Sequence, residues 1–203
     1  MRLLIASTNR GKLREMQAVL AGLPVDLVLP DDIGLTLQVD ETGETYAENA
    51  ALKARAYCQA SGLLTLADDS GLEVDTLNGA PGLHSARYSP LPGASDADRR
   101  ALLLQTLKSY PVPADATGWS AHFHCTVAIA EPTGSLHFSE GHCDGFIIQQ
   151  ERGNNGFGYD PVFFLPGHHA TMAELPDEVK NRISHRARAL QAALPLLQRL
   201  IAA

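Results

Sequence analysis

Several features that mark particular classes of protein are missing from this sequence of 203 residues. It has no excess of basic residues, because its formal net charge is −7, and a nucleic-acid or membrane-surface binder needs a net basic face. Its three cysteines include no CxxC pair, so neither a disulfide framework nor a zinc knuckle is indicated. The apolar run at residues 1–7 is too short for a signal peptide or a membrane span. We therefore expect a cytoplasmic protein with reduced thiols, in which a local basic pocket could still bind a small anion.

The order of apolar patterns predicts an α/β protein. Short buried strands are expected at residues 2–7, 25–29 and 162–165, and amphipathic helices at 45–61, 95–109 and from Ser184 to the C-terminal end. Residues 121–130 and 136–148 surround a Pro-Thr-Gly turn and predict a β-hairpin, which suggests a sheet arm or a second lobe. Pro195 falls inside the last helix and should kink or shorten it.

A polar loop with a lysine follows the first predicted strand. Residues Thr8, Asn9, Arg10, Gly11 and Lys12 precede a helical pattern, and a helix N-terminus is suited to binding phosphate. The Walker pattern GxxxxGK[ST] is absent, so this is not a standard P-loop. The alternative is that Asn9 only caps the helix and that Lys12 is solvated.

Two adjacent carboxylates end another apolar run. Residues 64–67 predict a buried strand that runs into a turn at Asp68, Asp69 and Ser70. Neighbouring side chains on a strand point to opposite faces, so both carboxylates can serve one site only if the chain turns there. An acidic turn that merely caps the strand is an equally good interpretation of these residues alone.

Polar residues elsewhere have both a functional and an ordinary explanation. Asn49 and Lys53 share one face of the helix at 45–61, where a solvated face is favoured without other support. His122 and His124 lie on one face of a strand and could ligate a metal, but the sequence places no third ligand, and half-exposed strand histidines are far commoner.

A glycine-rich segment and a basic cluster come later in the chain. Residues 151–161 hold three glycines around Phe157 and Tyr159, which could stack on a ligand or pack inward; the binding interpretation is favoured. Lys180, His185 and Arg186 gather at the start of the last helix, where the dipole disfavours positive charge. Such a cluster usually has an anionic partner, although a solvated basic end is the alternative.

One ligand accounts for all of these candidates. Scattered lysines suit phosphates, Glu41 with the aspartates suits a hard divalent cation such as Mg²⁺, and the two rings suit an aromatic base. The sequence therefore favours a nucleoside triphosphate as the ligand.

The chain resembles the inosine triphosphate pyrophosphatase family, of the Ham1 type, over essentially its whole length. The motifs that carry the resemblance are Ser7-Thr8-Asn9 with Gly11-Lys12, Glu41-Thr42-Gly43, Glu48-Asn49-Ala50 with Leu52-Lys53-Ala54, Ala67-Asp68-Asp69-Ser70-Gly71-Leu72, Gly79-Ala80-Pro81-Gly82 with Ser85-Ala86-Arg87-Tyr88, Phe157-Gly158-Tyr159-Asp160-Pro161, and Ser184-His185-Arg186. Residues 90–118 carry no family motif.

The resemblance implies an activity, a cofactor and an architecture. It implies hydrolysis of ITP, dITP and XTP between the α- and β-phosphates with Mg²⁺, by a homodimer. The fold expected is a long mixed sheet with flanking helices, arranged as two lobes around a central cleft within a single domain, 1–203.

The resemblance also implies roles for residues. Asp69 is the implied general base, and Glu41 and Asp69 are the implied metal ligands. Asp68 would hold Asp69 or a lysine in place. The implied substrate-binding residues are Ser7, Thr8, Asn9, Arg10, Gly11, Lys12, Lys53, Ser70, Phe157, Gly158, Tyr159, Asp160, Lys180, His185 and Arg186.

Two other functions remain open at this stage. A pyrophosphatase of similar fold, like the Maf-type enzymes, would act on modified pyrimidine nucleotides, although the intact Ser184-His185-Arg186 motif favours purines. A non-catalytic nucleotide sensor would be expected to have lost a core carboxylate or lysine, and none is lost.

Overall fold

A seven-stranded mixed sheet with flanking helices organises the chain, as the sequence predicted. The computed structural model describes residues 1–114 and 116–202; Asp115 and Ala203, which the predicted single domain includes, lie outside the described residues. The strands are β1 (Arg2–Ile5), β2 (Asp26–Val28), β3 (Leu64–Val74), β4 (Trp119–Ala130), β5 (Leu136–Ile147), β6 (Phe163–Leu165) and β7 (Ala170–Thr171). The helices are α1 (Arg10–Leu20), α2 (Tyr46–Ser61), α3 (Asp96–Leu107), α4 (Asp177–Ile183) and α5 (His185–Ala202).

The sheet order is β2-β1-β3-β4-β5-β6-β7. β1 pairs in parallel with β2 and with β3, whereas β6 pairs antiparallel with β5 and with β7. The predicted hairpin is confirmed, because β4 and β5 are neighbours in the sheet and follow each other in the chain. None of the helices in the described residues is long and apolar enough to cross a membrane.

The chain forms two compact units. The first contains Met1–Asp69, Cys125–Gly141 and the chain from Ser184 onward. Alternation along its strands gives it two apolar cores, because Leu3, Ile5 and Leu66 pack with α1 and α5 while Leu4 and Ala67 pack with α2. The part of β3 that belongs to this unit is therefore buried on both faces, and any charged residue on it needs a partner.

The second unit contains Ser70–His124 and His142–Ile183. It has one apolar core, in which Leu72, Phe123 and Phe163 are buried together with Leu103 of α3. The rings of Phe123 and Phe163 lie 4.5 Å apart, centroid to centroid. The arrangement as two lobes around a cleft and the single domain remain predictions.

One local prediction is wrong, because β3 does not end in a turn at Asp68 and Asp69 but runs without interruption from Leu64 to Val74. Of the two effects expected of Pro195, shortening does not occur, since α5 continues to Ala202 and its apolar residues Leu190 and Leu197 are fully buried, and the kink stays a prediction. Burial of this stripe on the core offsets the backbone hydrogen bond that the proline removes.

Other helix boundaries follow the predicted caps. α2 begins after Thr45, whose Oγ1 accepts a hydrogen bond from the Glu48 amide at 3.1 Å, while the Glu48 carboxylate accepts one from the Glu44 amide at 2.6 Å. α5 begins after Ser184, whose Oγ accepts a bond from the Ala187 amide at 3.2 Å.

Candidate active site

The loop between β1 and α1 is ordered by its own side chains. Asn9 Oδ1 accepts hydrogen bonds from the amides of Gly11 at 2.9 Å and Lys12 at 3.1 Å, so Asn9 is the N-cap of α1. Ser7 Oγ accepts a bond from the Asn9 amide at 3.3 Å. Thr8 and Arg10 are exposed. The capping turns the Lys12 side chain inward, where it meets β3.

Asp68 is buried in the first unit and surrounded by cations. Its Oδ2 lies 3.1 Å from Lys12 Nζ and 3.1 Å from Arg186 Nε, and only 1% of the residue is exposed. Arg186 is also 1% exposed, and its Nη1 binds the carboxylate of Glu15. Glu15, Arg186, Asp68 and Lys12 thus form one buried chain of alternating charges, which we call the buried charge chain.

The buried charge chain keeps its groups ionised. Burial by itself would raise the pKa of Asp68, but the positive charges of Lys12 and Arg186 outweigh it and hold that pKa well below its usual range. Burial would lower the pKa of Arg186, but Asp68 and Glu15 raise it further above its ordinary value. The thiol of Cys125 has its pKa raised, first by burial and then by Asp68, so it stays protonated and is unsuited to act as a nucleophile.

Asp69 points to the opposite face of β3, toward α2. Its Oδ2 accepts a hydrogen bond from Asn49 Nδ2 at 3.1 Å, and its Oδ1 lies 3.8 Å from Lys53 Nζ. Lys53 Nζ also donates to Glu41 Oε1 at 2.5 Å. Asn49 Oδ1 accepts a bond from the Gly43 amide at 2.8 Å, which fixes the amide so that its nitrogen faces Asp69.

The pKa of Asp69 is shifted in the opposite direction from that of Asp68 in the buried charge chain. Burial raises the pKa of Asp69, and although Lys53 and Lys12 oppose the shift, the negative charges of Glu41 and Asp68 add to it. Lys53 remains protonated, because the three carboxylates raise its pKa more than burial lowers it. Adjacent aspartates therefore have pKa values displaced in opposite directions, which is how acid–base sites separate a proton acceptor from a fixed charge.

The second unit holds another ion pair from the predicted set. Lys180 Nζ donates to Asp160 Oδ2 at 2.5 Å, and both side chains are buried. Lys180 Nζ also lies 4.8 Å from the centroid of the half-buried Phe157 ring. The Phe157 amide donates to Asp160 Oδ2 at 2.9 Å. At Gly156, with φ +76°, a Cβ would lie 2.0 Å from the same oxygen, so this turn requires glycine.

One of the two aromatic rings predicted to be exposed for stacking, that of Tyr159, is buried. Tyr159 is only 4% exposed, packs in the core of the second unit and donates its hydroxyl to the Ser85 carbonyl at 2.9 Å. The interpretation of Tyr159 as an exposed stacking ring is therefore wrong, and its pKa is raised by burial. Gly158 is held by its neighbours, because its amide donates to Asp96 Oδ2 at 2.8 Å.

The remaining predicted residues are placed as follows. Ser70 is half-buried on β3 directly after Asp69. His185, the first residue of α5, is 7% exposed. Gly141 of β5 packs closely on this helix start, since a Cβ there would lie 2.3 Å from the His185 carbonyl oxygen. Arg186 binds the carboxylates of Asp68 and Glu15 through two of its donors, and its contact with a purine base stays a prediction.

Nearly the whole chain also matches the model of a known protein family. The profile of the Ham1 family covers residues 3–196. The chain belongs to the Ham1 family. The resemblance stated from the motifs is thereby confirmed.

Relatives of this Ham1 chain include named enzymes and proteins of solved structure. The dITP/XTP pyrophosphatase of Desulforamulus reducens is 44% identical over 200 residues, which cover 98% of this chain and 97% of the relative. That of Geobacter sulfurreducens is 48% identical over 189 residues, 93% of this chain and 92% of the relative. The structure of a Ham1 protein from Coxiella burnetii is similar with a TM-score of 0.84 at 39% identity, covering 100% of this chain and 98% of the other.

Two residues of this Ham1 site were not among the predicted ones. Glu15 and Asn49 both contact groups that were predicted. Their signal was spacing, because Glu15 is three residues after Lys12 and Asn49 is four residues before Lys53, and such pairs share a helix face.

Proposed function

We propose that the protein is a nucleoside triphosphate pyrophosphatase that converts non-standard purine nucleotides (ITP, dITP and XTP) to the monophosphate and pyrophosphate. The names of the relatives from D. reducens and G. sulfurreducens support dITP and XTP as substrates. The single observation that carries the proposal is the pair of adjacent aspartates, each beside a lysine, with pKa values displaced in opposite directions.

Asp69 is the proton acceptor of this proposal. A general base works best when its pKa lies nearer the operating pH, and burial with two neighbouring carboxylates moves the pKa of Asp69 in that direction. Asn49 fixes one oxygen of Asp69, so the other oxygen faces Lys53 and the side on which phosphates would bind. Asp69 would take the proton of the attacking water as the new bond to phosphorus forms.

The lysines supply charge where the pyrophosphate leaves. Lys12 is held by Asp68 and Lys53 by Glu41, so each cation is fixed before the substrate arrives. Phosphoryl transfer depends mainly on positioning and on stabilising charge spread over oxygens, which fixed lysines provide. Lys180, paired with Asp160, is the corresponding cation of the second unit.

The acidic residues fit a magnesium ion. Glu41 and Asp69 share Lys53 and are close enough that the charge of Glu41 raises the pKa of Asp69, and hard carboxylate oxygens are the donors that Mg²⁺ prefers. Glu41 and Asp69 would hold the ion. When bound, it would neutralise phosphate charge and lower the pKa of a coordinated water.

Selection of the base follows from hydrogen-bond chemistry. Inosine and xanthosine carry a 6-keto acceptor where adenine carries an amino donor, so donors from His185 and Arg186 would match the first two bases only. An unmatched buried donor costs about 1–3 kcal/mol, enough for roughly tenfold to hundredfold rejection of ATP.

A substrate panel with product identification tests the proposal. The protein is incubated with Mg²⁺ and ITP, dITP, XTP, ATP, GTP or a modified pyrimidine triphosphate, and pyrophosphate is measured separately from orthophosphate. We expect pyrophosphate from ITP, dITP and XTP and slow turnover of ATP. Orthophosphate as the direct product, or preference for ATP or a pyrimidine, would contradict the proposal, and binding without Mg²⁺-dependent turnover would indicate a sensor.

A conservative variant tests the role of the base. Asp69→Asn keeps the size of the side chain but cannot accept the proton, so it should bind ITP and lose turnover by about 10²–10⁴-fold. Retained activity would refute the assignment. The homodimer and the cytoplasmic location remain part of the proposal, and light scattering of the purified protein tests the first of them.

A further inference from the structure

Three histidines lie together on one face of the sheet in the second unit, and the proposed reaction uses none of them. The sequence puts His122 and His124 on the same face of β4 but offers no third ligand near them. The structure supplies it, because His142 of the neighbouring strand β5 lies beside both. Glu73 of β3 approaches the same face from the other side.

The distances join these side chains into one cluster, which we call the histidine face (Glu73, His122, His124 and His142). The rings of His124 and His142 are stacked with centroids 4.0 Å apart, and those of His122 and His142 are 6.1 Å apart. His122 Nε2 lies 2.8 Å from Glu73 Oε2, and His124 Nδ1 lies 3.7 Å from Glu73 Oε1. One carboxylate thus contacts two imidazoles.

The geometry points to a metal ion as the ligand. We propose that the histidine face binds a divalent transition-metal ion of the Zn²⁺ class, with His124 and His142 as the imidazole ligands. A ring nitrogen of His124 and one of His142 lie within 4.8 Å of each other. Two nitrogens on one tetrahedral zinc are about 3.3 Å apart, given bonds of about 2.0–2.1 Å. Since His142 is exposed, its ring can turn so that the two nitrogens take this separation.

The surrounding charges favour a cation. Glu73 contacts two of the histidines, and Asp75 Oδ1 lies 3.8 Å from His122 Nδ1. The oxygens of Glu73 can complete the coordination, since Oε1 lies 3.7 Å from His124 Nδ1, and the short contact with His122 holds this carboxylate beside the proposed ligands.

The ligand type separates this ion from the one proposed for the reaction. Imidazole nitrogen suits Zn²⁺, Co²⁺ and Ni²⁺, whereas Mg²⁺ prefers oxygen donors and keeps several waters. The histidine face draws on β3, β4 and β5, so an ion there would tie together three adjacent strands of the second unit. The proposal is independent of the catalytic one, and either can fail without the other.

Calorimetric titration of the metal-free full-length protein with ZnCl₂ alone tests the proposal. We expect one Zn²⁺ per chain, retained in a large excess of Mg²⁺, and a visible d–d spectrum when CoCl₂ replaces ZnCl₂. His124→Gln and His142→Gln should each weaken Zn²⁺ binding by at least about tenfold. His137→Gln is the matched control, because His137 lies on the same strand β5 with its own partner Glu131 at 2.7 Å and should leave the affinity unchanged.

Several outcomes would overturn the proposal. They are the absence of stoichiometric Zn²⁺ binding, an affinity that survives both glutamine variants, or equal losses in the His137→Gln control. An intense near-ultraviolet charge-transfer band with Co²⁺ would place the ion on a cysteine thiolate instead and would also refute it. Circular dichroism of each variant confirms its fold, so a lost affinity is assigned to the ligand and not to unfolding.

Discussion

Removing Arg186 should destabilise the protein strongly and in a pH-dependent way. Arg186 is 1% exposed and neutralises two buried carboxylates, Asp68 at 3.1 Å and Glu15. At an effective dielectric constant of about 20, a charge pair at this distance interacts by about 5 kcal/mol, and breaking a buried pair typically costs about 3–5 kcal/mol. Because Asp68 keeps Lys12 at 3.1 Å, we expect Arg186→Met to cost about 3 kcal/mol, at the low end of that range.

The pH dependence follows from the direction of the Asp68 shift. The folded pKa of Asp68 is lowered, so its stabilising contribution is fully present above the unfolded pKa of about 3.9 and is lost as the pH falls through the folded value. Without the guanidinium the folded pKa rises, and part of that contribution is lost already at higher pH. The difference in stability between wild type and Arg186→Met should therefore be largest near pH 7 and should shrink as the pH falls below the unfolded value of about 3.9 toward the lower folded value.

Chemical and thermal unfolding measure the effect. A loss of about 3 kcal/mol corresponds to a fall in Tm of about 6–12 °C for a chain of this size. Arg188→Met is the matched control, because Arg188 is exposed on the same helix α5 and should change stability by less than about 0.5 kcal/mol. Adding Glu15→Gln to Arg186→Met should recover part of the loss, since one buried charge disappears. The reasoning fails if Arg186→Met costs less than 1 kcal/mol, matches its control, or gives a loss that does not vary with pH.

Two further substitutions separate structural from catalytic roles. Gly43→Ala should lower kcat, because its Cβ would lie 2.6 Å from Glu48 Cβ and 2.8 Å from Asn49 Oδ1 and would displace the amide that holds the proposed base. Gly22→Ala, with nothing within 4 Å, is the control, and equal kcat values for the two variants would refute this. Tyr159→Phe should lower stability by about 0.5–1.5 kcal/mol, since the hydrogen bond to the Ser85 carbonyl is lost, and leave KM unchanged; a raised KM at unchanged stability would restore a role in binding.

Most of the fold could be predicted from periodicity, and the exception shows its limit. The hairpin and the capped helices followed from patterns within a few residues, whereas the mixed sheet was implied by the resemblance to the family. The turn predicted at Asp68 and Asp69 did not form, although Asp, Ser and Gly favour turns. The cations that allow a carboxylate inside the strand come from distant parts of the chain: Arg186 and Asp68 are 118 residues apart in sequence. Local composition carries no information about such partners.

The candidate site also depends on contacts between residues that are distant in sequence, which local patterns do not reveal. A solvated face was favoured for Asn49 and Lys53, because polar pairs on helices are usually exposed. Both instead reach Asp69, since α2 packs its Ala50 and Ala54 on the sheet and brings the residue before each of them to the middle of β3. For Tyr159 the prediction of an exposed ring was wrong. Its glycine-rich neighbourhood suggested exposure, but the ring is buried in a core formed by residues that are distant in sequence.

The uninterrupted strand explains why two neighbouring aspartates differ. If β3 had turned at Asp68, both carboxylates could have faced one side and shared the same cations. Because it continues, Leu66 and Asp68 face α1 and α5, whereas Ala67 and Asp69 face α2. Asp68 thereby meets Lys12 and Arg186 and stays fully ionised, while Asp69 meets one lysine, an amide and a second carboxylate, and its pKa rises. The division between a fixed charge and a proton acceptor is thus a consequence of strand alternation, and a substitution that introduced a turn after Ala67 should abolish it.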